Sequence, residues 1–449
     1  MARAIRRSSF VLSILLFIFL ISGCAAIKAA FEINAISVQL NASSQFTGLL
    51  VKFTALIEGG DSYEWEFGDG GTGSGQVVTH VYTTSGLFTV TLRIMIDGIT
   101  TIYTKEVNIS ATSTTTGPSD IVFECETSPG VDGLCGINFN GSGFKAIIED
   151  TATVFNILDP SINSVGQVAF FCIVPAGNSI CGIESDGSNF RVIRAATGAS
   201  DNNRNPSIND AGQIVYECQN NLGTFESICG IDFNGNNFRL IRGAANTNDE
   251  NTNPDINNSG QIVFDCELTA DEQNLCGINF NGTGFIQLDV AAGGTDQNRQ
   301  GAINDSGQIA YLCDNGTSPD GLCVINFNGT GQSVLIDATD TNAEVERPKI
   351  NNAGQIAYDC ELGNGSSQIS LCGINFNGTG ETTLDPASNT SDGIDDPVIS
   401  NAGIVVYECE VGFDSIASLC RINFDGGGFS IIRNSLGDSS RNSQNPDIN

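Results

Sequence analysis

A chain of 449 residues with 51 acidic side chains against 19 basic ones carries a formal net charge of −32. That balance excludes nucleic acid and anionic headgroups as partners, since the field and the counterion term both have the wrong sign. The chain has a single histidine but 15 cysteines and 52 glycines. It therefore reads as cross-linked and turn-rich, with little scope for imidazole chemistry.

Residues 1–23 read as an export signal. Arg3, Arg6 and Arg7 precede an apolar run from Phe10 to Leu20, too short to span a bilayer with ordinary flanks. The following Ile21-Ser22-Gly23-Cys24 resembles the lipobox of bacterial lipoproteins. The resemblance implies cleavage before Cys24, acylation of its thiol and a membrane tether over residues 24–32. Ala25 in place of Asp implies the outer membrane, periplasmic or surface-facing, in a Gram-negative source. Loss of the leader leaves 16 basic against 51 acidic side chains, a charge of −35. Export permits disulfides, so the remaining cysteines need not be metal ligands.

Residues 33–110 show short alternating strands separated by turns, the pattern of a small all-β sandwich. The run Tyr63-Glu64-Trp65-Glu66-Phe67-Gly68-Asp69-Gly70, with His80-Val81-Tyr82 and Ser85 to Val90 downstream, resembles the signature of the polycystic-kidney-disease (PKD) domain. The resemblance implies that Trp65 and Phe67 are core residues and that Gly68 and Gly70 make a tight turn. His80 has no cysteine or second histidine nearby and reads as a structural strand residue. Residues 111–118, rich in Thr and Ser, read as a linker.

From residue 119 to 449 seven cysteine pairs recur about every 47 residues: Cys125/Cys135, Cys172/Cys181, Cys218/Cys229, Cys266/Cys276, Cys313/Cys323, Cys360/Cys372 and Cys409/Cys420. Each repeat holds four short strand candidates, A to D, with Asn-Gly turns and no helical period, which is the size of a propeller blade. The first repeat begins at strand B, Asp120 to Cys125, and the sequence closes on a lone strand A, Asn445 to Asn449. That piece completes blade one, giving a closed seven-bladed ring. Strands B and C form a hairpin, so each pair reads as a disulfide within one blade, contributing about 2–3 kcal/mol. A zinc site would need thiolates of two pairs to converge. The expected register sets Cys125 opposite Cys135, with Phe123 facing Ile137 and Ile121 facing Phe139, and all six side chains on one face.

The blade layout, Asn253-Pro254-Asp255-Ile256-Asn257 leading to Ile262-Val263-Phe264, resembles the TolB-type propeller repeat. Two departures are the cysteines and an Asn-x-Asn-Gly turn where that repeat has Asp-x-Asp-Gly. Such Asn-rich turns lack the further acids of a calcium loop and read as hairpins.

Carboxylates precede the strand B cysteine in five blades: Glu124, Glu217, Asp265, Asp359 and Glu408. With Asp249, Glu250, Glu344, Glu346, Asp392, Asp395 and Asp396 in the D–A loops and Glu267, Asp271 and Glu272 in the B–C loops, they are expected to give one broad negative face. Hard oxygen ligands suit Ca²⁺, and a solvated rim serving solubility explains them equally. No metal site is assigned. There is no Gly-x-Ser-x-Gly elbow, and no catalytic residue stands out. The expectation is a monomeric, lipid-anchored binding or scaffold protein contacting an envelope or extracellular protein. The alternative is a carbohydrate-active protein, a polysaccharide binder or a carboxylate-dependent hydrolase or lyase.

Overall fold

A computed structural model describes residues 36–41, 49–57, 59–82, 86–96, 98–109, 119–128, 131–197, 201–219, 225–244, 249–268, 273–290, 297–313, 321–337, 345–361, 369–386, 394–410, 417–433 and 443–448. They fall into two compact units, and every regular element among them is a β-strand. The lipidation candidate Cys24, the linker, and Glu344, Asp392, Asp271 and Glu272 lie outside the described residues.

The N-terminal unit is built on two sheets. One pairs strands Ile36–Asn41, Leu49–Ala55 and Val77–Tyr82, and the other pairs Thr72–Ser74, Ser62–Glu66, Gly86–Ile96 and Ile99–Ile109. Trp65, Phe67, Phe53 and Leu92 are buried. The indole N–H of Trp65 is satisfied by the Gly75 carbonyl at 2.9 Å. Gly68 turns the chain at φ 87°, and a β-carbon there would meet the Thr89 carbonyl oxygen at 2.8 Å, so no other residue fits. His80 stacks on Phe67 with ring centroids 4.1 Å apart and pairs with Asp69 at 2.7 Å. Burial opposes ionisation of Asp69 most strongly, but the hydrogen bonds from His80 and the Gly71 N–H, together with the charge of His80, hold the carboxyl below its usual range. The histidine is thereby a structural strut of the turn.

Seven four-stranded antiparallel sheets follow, each in the order A–B–C–D. Blade four is representative, with strands Asn251–Ile256, Gln261–Glu267, Gln273–Asn279 and Ile286–Asp289. Blade one takes B, C and D from Ile121–Ser128, Val131–Ile137 and Lys145–Glu149, and its strand A from Ser443–Ile448. The added strand sits in the common register: Ser443 opposes Cys125 as Asn251 opposes Cys266 and Asn203 opposes Cys218.

Apolar alternation along strands B and C fills the space between blades rather than within them. Among the described residues, seven buried clusters each join two neighbouring blades, for instance Val215 and Ile228 of blade three with Ile262 and Phe264 of blade four. One large aromatic per blade is fully enclosed there, namely Phe123, Phe170, Tyr216, Phe264, Tyr311, Tyr358 and Tyr407. Each contributes about 2–3 kcal/mol by burial. The strand C glycine exists for this contact: a β-carbon on Gly230 would lie 2.8 Å from the Phe280 ring of the next blade.

The disulfides join the cysteines expected, each within its own blade: Cys125–Cys135, Cys172–Cys181, Cys218–Cys229, Cys266–Cys276, Cys313–Cys323, Cys360–Cys372 and Cys409–Cys420. Their Cα separations are 5.8–5.9 Å. The expected register needs correction. Cys125 opposes Gly133, Cys135 opposes Phe123, and Ile121 opposes Ile137. Each bridge therefore runs diagonally, and the correction holds round the ring. Cys181 lies opposite Phe170, Cys229 opposite Tyr216 and Cys276 opposite Phe264. Cys323 likewise faces Tyr311, Cys372 faces Tyr358 and Cys420 faces Tyr407. In every blade the strand C cysteine thus sets a small side chain across from the one enclosed ring. The offset is two residues, so every side chain keeps its face; only an odd slip would turn them over.

At the A–B turns a second set of links runs round the ring. The Asn163 amide donates to the Asn209 carbonyl at 2.9 Å, Asn209 to Asn257 at 3.0 Å, and the series continues through Asn304 and Asn351 to Ser400. Outside it, the backbone N–H groups of Asp210, Asn258, Asp305 and Asn352 donate to the Asx side chain one blade on, at 2.8–2.9 Å. The Asn-x-Asn-Gly hairpins keep their oxygens to themselves. Asn281 Oδ1 accepts both the N–H and the hydroxyl of Thr283, at 3.0 and 2.7 Å.

Candidate functional site

Strand A is the innermost strand of every blade, and the seven together enclose an axial channel of about 350 Å³ lined by three residues from each. The first of each three is a non-glycine residue held at positive φ: Asp159, Asn205, Asn253, Gln300, Arg347, Asp396 and Asn445, between 45° and 53°. Proline follows six of the seven. Its ring disfavours the right-handed helical region for the residue before it. The bulge this makes turns that residue's N–H away from its own sheet.

The strand B carboxylates receive those N–H groups. Glu124 Oε1 accepts from Asp159 at 2.8 Å, Glu217 Oε1 from Asn253 at 2.8 Å, Asp265 Oδ1 from Gln300 at 2.8 Å and Glu408 Oε1 from Asn445 at 2.7 Å. Each bond crosses from one blade to the next. Side chains add to them, Asn445 Nδ2 reaching Glu124 at 2.8 Å and Asn253 Nδ2 reaching Asp265 at 2.7 Å. Glu217, Asp265, Asp359 and Glu408 are buried, and Glu124 is partly so. The expected open acidic face is accordingly corrected for these five. Their charge lies behind the channel wall, spent on joining blades. The reason is non-local: for all of them but Asp359 the partner is a bulge about 36 residues further along the chain.

Blade six departs from the pattern. Asp359 turns Oδ2 to Arg347 Nη1 at 3.0 Å, while the Asp396 N–H bonds Asp395 instead, at 3.0 Å. Arg347 also pairs with Glu346 at 2.9 Å, with Asp396 at 3.0 Å and with Asp395. The Asp396 and Glu408 carboxyl groups lie within hydrogen-bond reach of each other, and burial raises both above their usual range. Burial raises Glu408 to about 8, Glu124 and Asp265 to about 7 and Asp447 to about 6, against opposing hydrogen bonds. Burial also pushes Asp359 well up, with Arg347 opposing.

Of the loop acids, Asp249 is buried and lies 3.6 Å from Arg242, and Glu346, Asp395 and Asp396 are tied to Arg347. No group of three or more metal-ligating side chains is placed to hold an ion among the described residues. The positive-φ ring, the channel wall and the Asn ladder were not singled out from sequence. The Pro that follows six of the seven positions was the available signal.

Residues 39–111 match the family model of the PKD domain. A search of curated proteins gave no significant match. Among solved structures the chain is similar to TolB from Acinetobacter baumannii, at 15% identity and TM-score 0.43, covering 66% of this chain and 75% of that one. A structure of prolyl endopeptidases matches at 10% identity and TM-score 0.52 over 70% of this chain, which spans about half (49%) of that enzyme's length. An oligogalacturonate lyase from Vibrio parahaemolyticus matches at 10% identity and TM-score 0.42, covering 74% of this chain and 95% of that one. Identities this low speak for fold alone. A segment that matches the PKD domain is thus followed by a seven-bladed β-propeller cross-linked within every blade.

Proposed function

We propose that this is an exported, lipid-anchored scaffold protein that engages a protein partner through the axial channel and its mouth, at the cell envelope or surface. The observation that carries the reading is the channel wall. Its 21 residues present backbone and side-chain hydrogen-bonding groups, and no aromatic ring lies among them. Protein segments are recognised by such groups, whereas sugar rings are held chiefly by aromatic platforms. Seven disulfides hold the frame, which keeps the site preorganised and accords with an oxidising compartment. The Asp396–Glu408 pair is in direct hydrogen-bond contact, well inside the roughly 5–10 Å that separates the carboxyls of glycoside hydrolases.

The test places a photo-crosslinking side chain at Gln300, exposed in the channel, and at Val334, exposed on an outer strand, in cells of the native source. A discrete protein adduct from Gln300 and not from Val334 is expected. Adducts with glycan alone, or equal labelling from both sites, would overturn the reading.

A further inference from the structure

The inner edge of the ring is a row of backbone N–H groups, capped along one arc and bare along the other. The caps come from the third channel residue of each blade. Asp447 Oδ2 accepts the Ile162 N–H at 2.7 Å, Ser161 Oγ that of Ile208 at 3.2 Å, Ser207 Oγ that of Ile256 at 3.3 Å and Asp255 Oδ2 that of Ile303 at 3.0 Å. In blades five, six and seven the same position holds Ala302, Lys349 and Val398. Alanine and valine offer no acceptor, and lysine is a donor.

The consequence falls on Ile350, behind Ala302, and on Ile399, behind Lys349. Ile350 opposes Ile356 and Ile399 opposes Val405, the register in which Ile256 opposes Ile262, so their N–H groups face the channel as the capped ones do. Neither finds an acceptor among the described residues. Ile448, behind Val398, is served by the carboxylate of its own neighbour Asp447. Lys349 is exposed and makes no hydrogen bond or ion pair with a described residue. Asp396 and Asp447 feel its charge. Asp396 is already held by Arg347 and Glu408, and Asp447 by two isoleucine N–H groups.

Three donors thus lie along one arc of the channel, where Arg347, Asp396 and Asp447 are already engaged. We propose that this arc is a subsite for a carboxylate, held by the Lys349 ammonium and the N–H groups of Ile350 and Ile399. It rests on the reading of the channel as the binding region and names the chemistry bound there. A monoanion suits a single free ammonium facing Asp159, Asp255, Asp396 and Asp447 along the same wall; a dianion would meet that charge uncompensated. The carboxylate belongs either to a partner's peptide segment or to a small free acid.

The experiment is an amide NMR titration of the deuterated, ¹⁵N-labelled full chain with sodium acetate against matched sodium chloride. Saturable shifts are expected at Ile350 and Ile399, and none at the capped Ile208 and Ile303. Lys349→Met is expected to weaken acetate about ten- to a hundredfold, the range for a charge-assisted hydrogen bond, with Lys349→Arg restoring most of it. Ala302→Ser installs the cap seen at Ser161 and Ser207 and is expected to silence Ile350. All these variants change an exposed channel position or copy a residue found elsewhere in the ring, so folding is retained. Absent or uniform shifts, or unchanged acetate affinity in Lys349→Met, would overturn the subsite. A Gln300 protein adduct persisting alongside that outcome would leave the channel reading standing. A peptide with a free carboxyl terminus that binds, and fails once amidated, identifies a chain end as the source; acetate binding without peptide binding identifies a free acid.

Discussion

Tyr216 and Tyr407 occupy equivalent positions in blades three and seven, and replacing each by phenylalanine should move stability in opposite directions. Both rings are enclosed. The Tyr407 hydroxyl donates to Asp385 at 2.5 Å, whereas the Tyr216 hydroxyl is buried without a partner. Blades one, two and four carry phenylalanine there, Phe123, Phe170 and Phe264, so the ring fits without its oxygen. An unpartnered buried hydroxyl costs about 1–3 kcal/mol, and its removal forfeits only a few dispersion contacts, so Tyr216→Phe should stabilise by about 1 kcal/mol. A hydrogen bond to a carboxylate is worth about 1.5–3 kcal/mol when shielded. Asp385 is half-exposed, so Tyr407→Phe should cost about 1–2 kcal/mol. The assay is equilibrium urea unfolding of the oxidised chain, following the propeller transition. With a slope of roughly 3 kcal/mol per molar, each kcal/mol moves the midpoint by about 0.3 M. A midpoint lowered as much in Tyr216→Phe as in Tyr407→Phe would refute the reasoning.

Three further outcomes are expected. Because burial raises Glu124, Asp265, Glu408 and Asp447 to between about 6 and 8, the folded state holds more protons than the unfolded one from about pH 4 to 8. Their stabilisation is complete at the acid end and lost as pH rises through those values, so the melting temperature should fall from pH 5 to 8; a rise or a flat profile by calorimetry would contradict it. Deleting residues 443–449 removes the strand that pairs with Ile121–Ser128, and should lower the melting temperature by more than ten degrees, at roughly 2–4 °C per kcal/mol; an unchanged melt would show that ring closure contributes nothing. Replacing Cys266 and Cys276 together by serine should cost about 2–3 kcal/mol, as a loop of this length implies, with non-reducing peptide mapping of the variant showing the other six bridges intact.

The ring was legible because a weak four-strand pattern, repeated seven times with a cysteine pair in each, cannot be matched by any helical period. The lone strand at Asn445 to Asn449 then left one topology. The register was not legible to the residue. Alternation fixes which face a side chain takes, and it reads the same whether Cys135 lies opposite Cys125 or opposite Phe123. The role of Glu217 or Asp265 was hidden for another reason. A carboxylate ahead of a strand-ending cysteine looks exposed until the next blade's bulge is placed beside it, and nothing local to strand B encodes that neighbour. Lys349 escaped notice because only the ring shows that Ser161, Ser207, Asp255 and Asp447 share its position.

The identical register of Ser443 on Cys125 and of Asn251 on Cys266 makes the site of closure arbitrary. A circular permutant, opened at any other A–B turn and joined through blade one by a turn like Asn257 to Gly260, would form the same seven sheets. What would change is kinetic. Pairing Ser443–Ile448 with Ile121–Ser128 spans more than 300 residues, the longest loop the chain must close, and closure of this kind is slow because its entropy is spent before any contact repays it. Permutation would hand that late step to another blade, and the blade that fastens last should be the one most open to exchange, proteolysis or strand swapping between molecules.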